Sequence, residues 1–544
     1  MKLKFHREYW LFIVIFVGVH LLYFRTATAG FVTDFSGLAG KFERGEFWDF
    51  LNCFGFPAMH QIRNLVLWCL YQTFGVHSKG WYVVFSSLHI INAWLIFRFG
   101  TELFAKFNLE KGKSAAGIAA LFFAFCPYHT EPMTWRVNFV FLFVTTLVLL
   151  ILRLYLRDSV RPRRKYFWQI QGLFALGLFT FELALTIPLL LSVFLFFDNV
   201  FRVSFKDFLR KYIRLFAPQT ALTGVYFVLQ KMMLDAWVGH YGAETHLNFD
   251  PTLIFGNLLK YTSKYLFFSR SFKIFNTETF YRALENPWLW GSLLTLIFST
   301  FAFMLCDKKK MTESRRVGWL LTACYFFALL PVLNIFFYHT LHIENDRYGY
   351  LASVFFFLFI VFILSKIPQY LAWAVVAVYL PLGIWLTHEN TQRWAAADAV
   401  YRGLLEDFRW QNAENIYVLT APDNLEGAGM FRRYRKQDST LRDALEYMYG
   451  KKINGKLHEI THFNQRRNST GFTVDQKDSG VIRLKFNEYG SWFWDCGHGA
   501  ADYETPDYVF KITKWGKGEF LLKNKSEEDV IIFADGKKWK EIKL

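Results

Sequence analysis

The stretch 117–152, "GIAALFFAFCPYHTEPMTWRVNFVFLFVTTLVLLIL", decides the fold. Two runs too apolar to stay in water, 117–125 and 139–152, flank a turn that gathers His129, Glu131, Trp135 and Arg136. The pattern is helix, polar turn, helix, and it recurs along the chain. A membrane-spanning helix needs about 20 predominantly apolar residues. That criterion predicts eleven helices, near 9–25, 80–104, 115–130, 138–156, 166–182, 184–201, 213–231, 288–305, 317–337, 350–365 and 369–387.

Composition agrees, since 53% hydrophobic and 20% aromatic residues in 544 are too many for an ordinary soluble enzyme. The formal charge of +17 raises nucleic acid as a partner, but the Lys and Arg residues recur as short clusters between apolar runs and form no single stripe. Counted from an inward N-terminus, the inside loops hold Lys2/Lys4/Arg7, Lys106/Lys111/Lys113, Arg157/Arg161/Arg163/Arg164/Lys165, Arg202/Lys206/Arg210/Lys211 and Lys308/Lys309/Lys310/Arg315/Arg316. This is the positive-inside bias, and it sets the expected orientation. "TATAG" at 26–30 imitates a signal-peptide cleavage site, but ten further spans behind it favour an uncleaved first helix. Cys53, Cys69, Cys126, Cys306, Cys324 and Cys496 show no CxxC and no zinc-like spacing, so packing is their expected role.

The orientation turns these segments outward: 26–79, 129–137, the turn at Glu182, 232–287, 338–349 and everything after about 388. "IRNLVLWCLYQTFG" (62–75) reads as an interfacial amphipathic helix, as does 253–268, which as a span would reverse all later topology. Residues 1–387 thus form a multi-span domain and 388–544 an extracytoplasmic soluble α/β domain. In the latter, "NIYVLTAPDNLEGAG" (415–429) reads as a strand, a turn and a helix start, and "GVIRLKF", "DYVFKIT", "GEFLLKN" and "DVIIFAD" as strands. A glycosylation sequon stands at Asn468-Ser469-Thr470.

Charged groups near membrane depth are costly, which makes them candidates for function. Four places qualify: Asp34 after the first helix, the turn at 129–136, Glu182 in an apolar turn, and "HIENDRYGY" (342–350) with Glu344, Asp346, Arg347 and Tyr350. Each also has a plainer reading. Asp34 suits a solvated loop carboxylate, His129 and Glu131 a helix end with Trp135 in the aromatic belt, Glu182 a salt bridge to Arg136 or Arg347, and Arg347 an interfacial anchor. Together they set acids and arginines on one side of the membrane.

The segments "LVLWCLYQTFGVHSKGWYVVFSSLHIINAWLIFRFG", "FCPYHTEPMTWRVNFVFLFV", "FTFELALTIPLLL" and "DRYGYLAS", in that order, resemble the C-type (GT-C) membrane glycosyltransferases, especially bacterial relatives of the transmembrane O-mannosyltransferases. The likeness runs over about residues 9–387. Members carry an acid in the first outward loop, then "HPxHTExVxW"-like, "KExAxxxP"-like and "ERYLYLPS"-like turns; this chain departs at Cys126, Phe181 and Ala352, and has one Asp where many members have two acids. The resemblance implies transfer of a sugar from a polyprenyl-phosphate carrier to a glycan, lipid or protein hydroxyl outside the membrane, commonly with inversion, in a bacterial inner membrane. It implies Asp34 and Glu182 as catalytic residues, with His129, Glu131, Trp135, Arg136, Arg347 and Tyr350 at the substrate. No cofactor is expected, although Glu344 and Asp346 have the ExD spacing of a divalent-metal pair. A transporter or flippase of a lipid-linked or polar solute is the alternative reading, since intramembrane charges also mark transport paths. A third is a membrane-anchored binding protein that acts through 388–544.

Overall fold

The computed structural model describes the chain apart from residues 1–6, 46–48, 50–58, 78, 201, 236, 238–248, 273, 276–277, 307–311, 334–342, 432–439, 466–470, 477–479, 487–489, 494–501, 515, 525, 527 and 544. The sequon at 468–470, Cys53 and Cys496, and the side chains of Cys306 and Glu344, lie outside the described residues.

Backbone N–H and C=O groups find no water in hydrocarbon, so an apolar run that enters it must bond internally as a helix. Each of the eleven predicted segments contains a helix among its described residues. Seven helices among the described residues are long and apolar enough to cross a membrane: Glu8–Thr26, Lys79–Lys106, Arg136–Val160, Glu182–Asn199, Glu313–Leu333, Asp346–Leu364 and Gln369–Asp407. Gly112–Ala124 and Pro287–Ala302 are shorter apolar helices, and Arg164–Leu178 and Phe205–Leu234 complete the set. The two segments read as interfacial are the helices Gln61–Phe74 and Pro251–Phe267.

The bundle centres on Lys79–Lys106, which packs along Gly112–Ala124 and Phe139–Val160, while Tyr350–Leu364 packs on Gly112–Ala124 and Glu313–Leu333. The backbones approach closely at Gly100, where an added Cβ would stand 2.8 Å from Leu358 and 3.0 Å from Ala116. Small residues at such crossings let helices gain packing contacts that lipid does not provide.

The helix Gln369–Asp407 changes surroundings along its length. Trp373, Val378 and Trp385 are exposed on its first half, whereas Trp394, Ala397, Tyr401 and Leu404 are buried on its second. That second half packs on the sheet-rich C-terminal domain, and the helix crosses residue 388 without a break. The first sheet runs β11 (Lys538–Ile542), β10 (Asp529–Asp535), β1 (Asn415–Leu425), β3 (Lys456–Gln465), β6 (Gly490–Phe493). β1 lies parallel to both neighbours. The second sheet, β4 (Phe472–Gln476), β5 (Val481–Phe486), β9 (Lys517–Leu522), β8 (Tyr508–Lys514), β7 (Tyr503–Glu504), is antiparallel throughout.

The helix start predicted after 425 is a hairpin instead. Leu425 pairs with Ala428 in the short strand β2 (Ala428–Gly429). Glu426 (φ 48) and Gly427 (φ 88) both adopt positive φ, the geometry of a two-residue type I′ turn, whose twist matches that of the strands. The helix of this crossover comes later, at Thr440–Met448.

Candidate functional site at one end of the helical bundle

The polar turn between the helices Gly112–Ala124 and Phe139–Val160 is a run of single helical turns, Pro127–His129, Thr130–Thr134 and Arg136–Asn138. Pro127 opens it at a position where the missing N–H costs nothing. Each break in the ladder frees backbone groups, and side chains from the neighbouring turn at Ile343–Gly349 meet them here.

Glu131 and Arg347 form the central contact. The Arg347 backbone N–H donates to Glu131 Oε2 at 2.8 Å and its Nη1 to Oε1 at 2.5 Å. The guanidinium also lies 5.0 Å from the Trp135 ring centre and 4.5 Å from that of Tyr348, whose hydroxyl accepts from Nη2 at 3.1 Å. Beside this pair, Asp346 receives Lys264 Nζ at 2.6 Å together with Arg270. Both cations stack on Tyr128, Lys264 at 5.1 Å and Arg270 at 4.6 Å. Glu131 and Asp346 are 0% exposed, Lys264 5%, Arg270 8% and Arg347 8%. Three cations and two carboxylates therefore share one largely dry volume. Burial pushes the Glu131 carboxyl up to about 7, against the pull of Arg347 and with a further push from Asp346.

His129, Tyr350 and Arg136 stand behind this contact with protein partners. His129 is fully buried and its Nδ1–H donates to the Phe123 carbonyl at 2.8 Å, leaving Nε2 to accept from Ser353 at 2.9 Å. His89 Nε2–H likewise donates to the Ala124 carbonyl at 3.1 Å, so its Nδ1 accepts from the Tyr350 hydroxyl at 2.7 Å. Arg136 donates to the carbonyls of Thr26, Ala27 and Met133 at 3.0, 3.3 and 3.2 Å. Its backbone N–H bonds the Gly30 carbonyl at 3.1 Å. Arg136 thereby ties the loop after the first helix to the turn.

That loop carries Asp34. Gly30 (φ 92) lies so close to the turn that an added Cβ would stand 1.8 Å from the Thr134 carbonyl oxygen. Thr33 holds φ 54, ψ −121, a conformation strained for a residue with a Cβ. Its N–H donates at 3.1 Å to the carbonyl of Met430, just past the C-terminal domain's hairpin. Half-buried Asp34 follows as the first residue of the helix Asp34–Arg44, where the helix dipole favours a negative charge. The helix packs against 136–138, and β2 of the C-terminal domain against 343–349.

Glu182 does not bridge to Arg136 or Arg347. Its partner is His60, a residue that sequence reasoning passed over, at 3.0 Å. Arg63 Nη1 lies 3.2 Å from His60 Nδ1. An arginine only donates, so Nδ1 accepts and the ring proton on Nε2 points to Glu182. The neighbouring Phe181 packs on Phe141, which packs edge-on against Tyr348, and this aromatic chain links the Glu182 turn to the Arg347 turn.

Of the two residues with ExD spacing, Glu344 has its side chain outside the described residues, and Asp346 is occupied by two cations. Among the described residues no group of three or more His, Cys, Asp or Glu is placed to hold a metal. Lys264 and Arg270, like His60, were absent from the sequence-based set.

No protein-family model matches the chain, and no curated protein does. Among solved structures, ArnT from Cupriavidus metallidurans bound to undecaprenyl phosphate is 11% identical with a TM-score of 0.38, over 87% of this chain and 97% of that one. The apo oligosaccharyltransferase of Archaeoglobus fulgidus is 10% identical with a TM-score of 0.42, over 84% of this chain and 65% of that one. ArnT in the apo state is 12% identical with a TM-score of 0.35, over 81% and 89%. These structural neighbours are ArnT and an archaeal oligosaccharyltransferase, and at such values the likeness carries nothing about chemistry, which rests on the side chains above.

Proposed function

We propose that this chain transfers a sugar from a polyprenyl-phosphate-linked donor to a hydroxyl of a glycan, lipid or protein acceptor at the extracytoplasmic face of the membrane, with inversion at the anomeric carbon. One observation carries the reading: Lys264, Arg270 and Arg347 are buried together at one end of an apolar helical bundle, beside a loop that presents Asp34. Buried cations suit a phosphate that gains charge as it leaves.

In the reaction the acceptor oxygen forms a bond to the anomeric carbon as the bond from that carbon to the phosphate oxygen breaks. The acceptor's proton passes to the Asp34 carboxylate, and the departing electron pair stays on the polyprenyl phosphate. Arg347, with its planar fork, and Lys264 and Arg270 beside it, stabilise that phosphate. Burial raises the Glu131 carboxyl to about 7, so at pH 7 it offsets the Arg347 charge only in part. Glu182, oriented by His60, positions the sugar, and Trp135 packs on Arg347. His129, Arg136 and Tyr350 act through these groups by holding the turn in shape.

The test is Asp34→Asn in membranes supplied with lipid-linked sugar. Loss of one general base lowers turnover by about 10²–10⁴; near wild-type transfer would remove Asp34 from the role. Arg347→Lys keeps the charge but loses the fork, and its expected effect is a weaker grip on the leaving phosphate, read as faster turnover with donors whose leaving group is a better one.

A further inference from the structure

The far end of the bundle holds a second charged site. The C-terminal turns of Lys79–Lys106 and Phe139–Val160 and the turn into Arg164–Leu178 enclose a cavity of about 380 Å³. Glu102, Lys106, Arg157, Arg161, Arg163 and Tyr166 provide its polar lining, and Leu156 and Val160 an apolar side.

Basic residues at helix C-termini and in inward loops are expected from the helix dipole and from topology alone. The cavity goes beyond that expectation. Glu102 is taken by Arg153 at 2.7 Å and by Arg157 at 3.1 Å, and Lys106 by Asp198 at 2.5 Å. The Asp158 carboxylate accepts the Arg163 backbone N–H at 2.9 Å, while the guanidiniums of Arg161 and Arg163 form no salt bridge among the described residues; that of Arg163 stacks 6.0 Å from the Tyr166 ring. Two guanidiniums thus face an open volume whose neighbouring surface is apolar and exposed, at Val160 (69%) and Trp168 (57%). The volume falls within the range of small-ligand sites, roughly 300–1,000 Å³.

We infer that this cavity binds the phosphodiester headgroup of an anionic phospholipid, with Arg161 and Arg163 on the phosphate oxygens and the acyl chains along the apolar side at Leu156 and Val160. A phosphate accepts paired hydrogen bonds from a guanidinium, and basic pockets between helices at a membrane face suit anionic headgroups. The apolar exit distinguishes a lipid from a free anion, which gains nothing from Val160. The site lies at the opposite end of the helices from Glu131 and Arg347, so it stands whether or not the transferase reading does.

The test uses the full chain purified in detergent, with native mass spectrometry counting bound phosphatidylglycerol against phosphatidylcholine. Wild type is expected to retain phosphatidylglycerol preferentially. In the Arg161→Gln/Arg163→Gln variant retention weakens about thirtyfold, from about 1 kcal/mol for each arginine. Lys206→Gln/Arg210→Gln, which removes two exposed cations of the next inward segment, leaves retention unchanged. Cys126, buried at the other end, reports by its unreactive thiol that each variant is folded. Equal retention of both lipids, or no change in the Arg161/Arg163 variant, overturns the site; displacement by millimolar inorganic phosphate overturns the lipid assignment in favour of a free anion.

Discussion

Glu131→Gln separates two physical accounts of the Glu131–Arg347 contact. If burial dominates, the carboxyl titrates at about 7 in the folded chain against an ordinary 4.5. The folded state then binds a proton that the unfolded state has lost, so unfolding releases it and stability falls as pH rises from about 4.5 to about 7. A difference of this size corresponds to about 3 kcal/mol by linkage. Gln carries the same shape with no charge to desolvate, so the variant shows no such slope, and its stability relative to wild type improves by that amount across the window. If the ion pair dominates instead, the carboxylate stays charged throughout, wild-type stability does not fall over this range, and Glu131→Gln costs about 3–5 kcal/mol because Arg347 is left buried and unpaired. The assay is reversible unfolding in mixed micelles at pH 4.5 to 8, followed by labelling of the buried Cys126 thiol beside the turn and quantified by peptide mass after exposed Cys69 is blocked. Parallel stability curves for wild type and Glu131→Gln would refute the burial account.

Three further outcomes follow from the same geometry. Gly30→Ala sets a Cβ against the Thr134 carbonyl and asks for φ 92 besides, so the first loop undocks and transfer is lost; Gly75→Ala, with φ 60 and nothing within 4 Å, meets backbone strain alone and costs about 1 kcal/mol in the same unfolding assay. His60→Leu removes the donor that orients Glu182 and raises KM for the sugar donor, whereas His60→Gln, which keeps an N–H, restores much of the lost affinity; equal defects in both would assign His60 to packing. Arg393→Ala breaks the ion pair to Glu426 at the tip of the β1–β2 hairpin, measured at 2.9 Å with both side chains more than a third exposed, and costs less than about 1 kcal/mol in thermal unfolding.

Helices and polar turns were legible in the sequence because lipid imposes one rule on every apolar run, and because a Glu, a His and two arginines in such surroundings are too costly to be incidental. Contacts across the chain were not. Nothing in "AMHQIRN" (58–64) announces that His60 meets Glu182 122 residues later, since neither residue type nor spacing encodes a tertiary approach. The hairpin at Glu426-Gly427 hid behind a pattern that a helix start shares, and only the positive φ at a Glu separates the two. Lys264 and Arg270 had a signal that went unused. In "YTSKYLFFSRSF" (261–272) both cations sit on a segment assigned to the outward side, against the bias that made Arg347 conspicuous.

The two ends of the bundle carry cations for different reasons, and burial tells them apart. Arg161 and Arg163 are exposed, in a loop that the positive-inside bias assigns to the inward side, and water solvates them. Lys264, Arg270 and Arg347 are more than nine-tenths buried at the other end, where desolvation penalises each. Among the described residues, Glu131 and Asp346 offset part of that penalty, and burial raises the Glu131 carboxyl to about 7. An arrangement made for stability alone would replace the group by packed apolar side chains. Guanidinium and ammonium groups held there are placed to meet an anion, and a phosphate carried on a lipid reaches them without leaving the membrane.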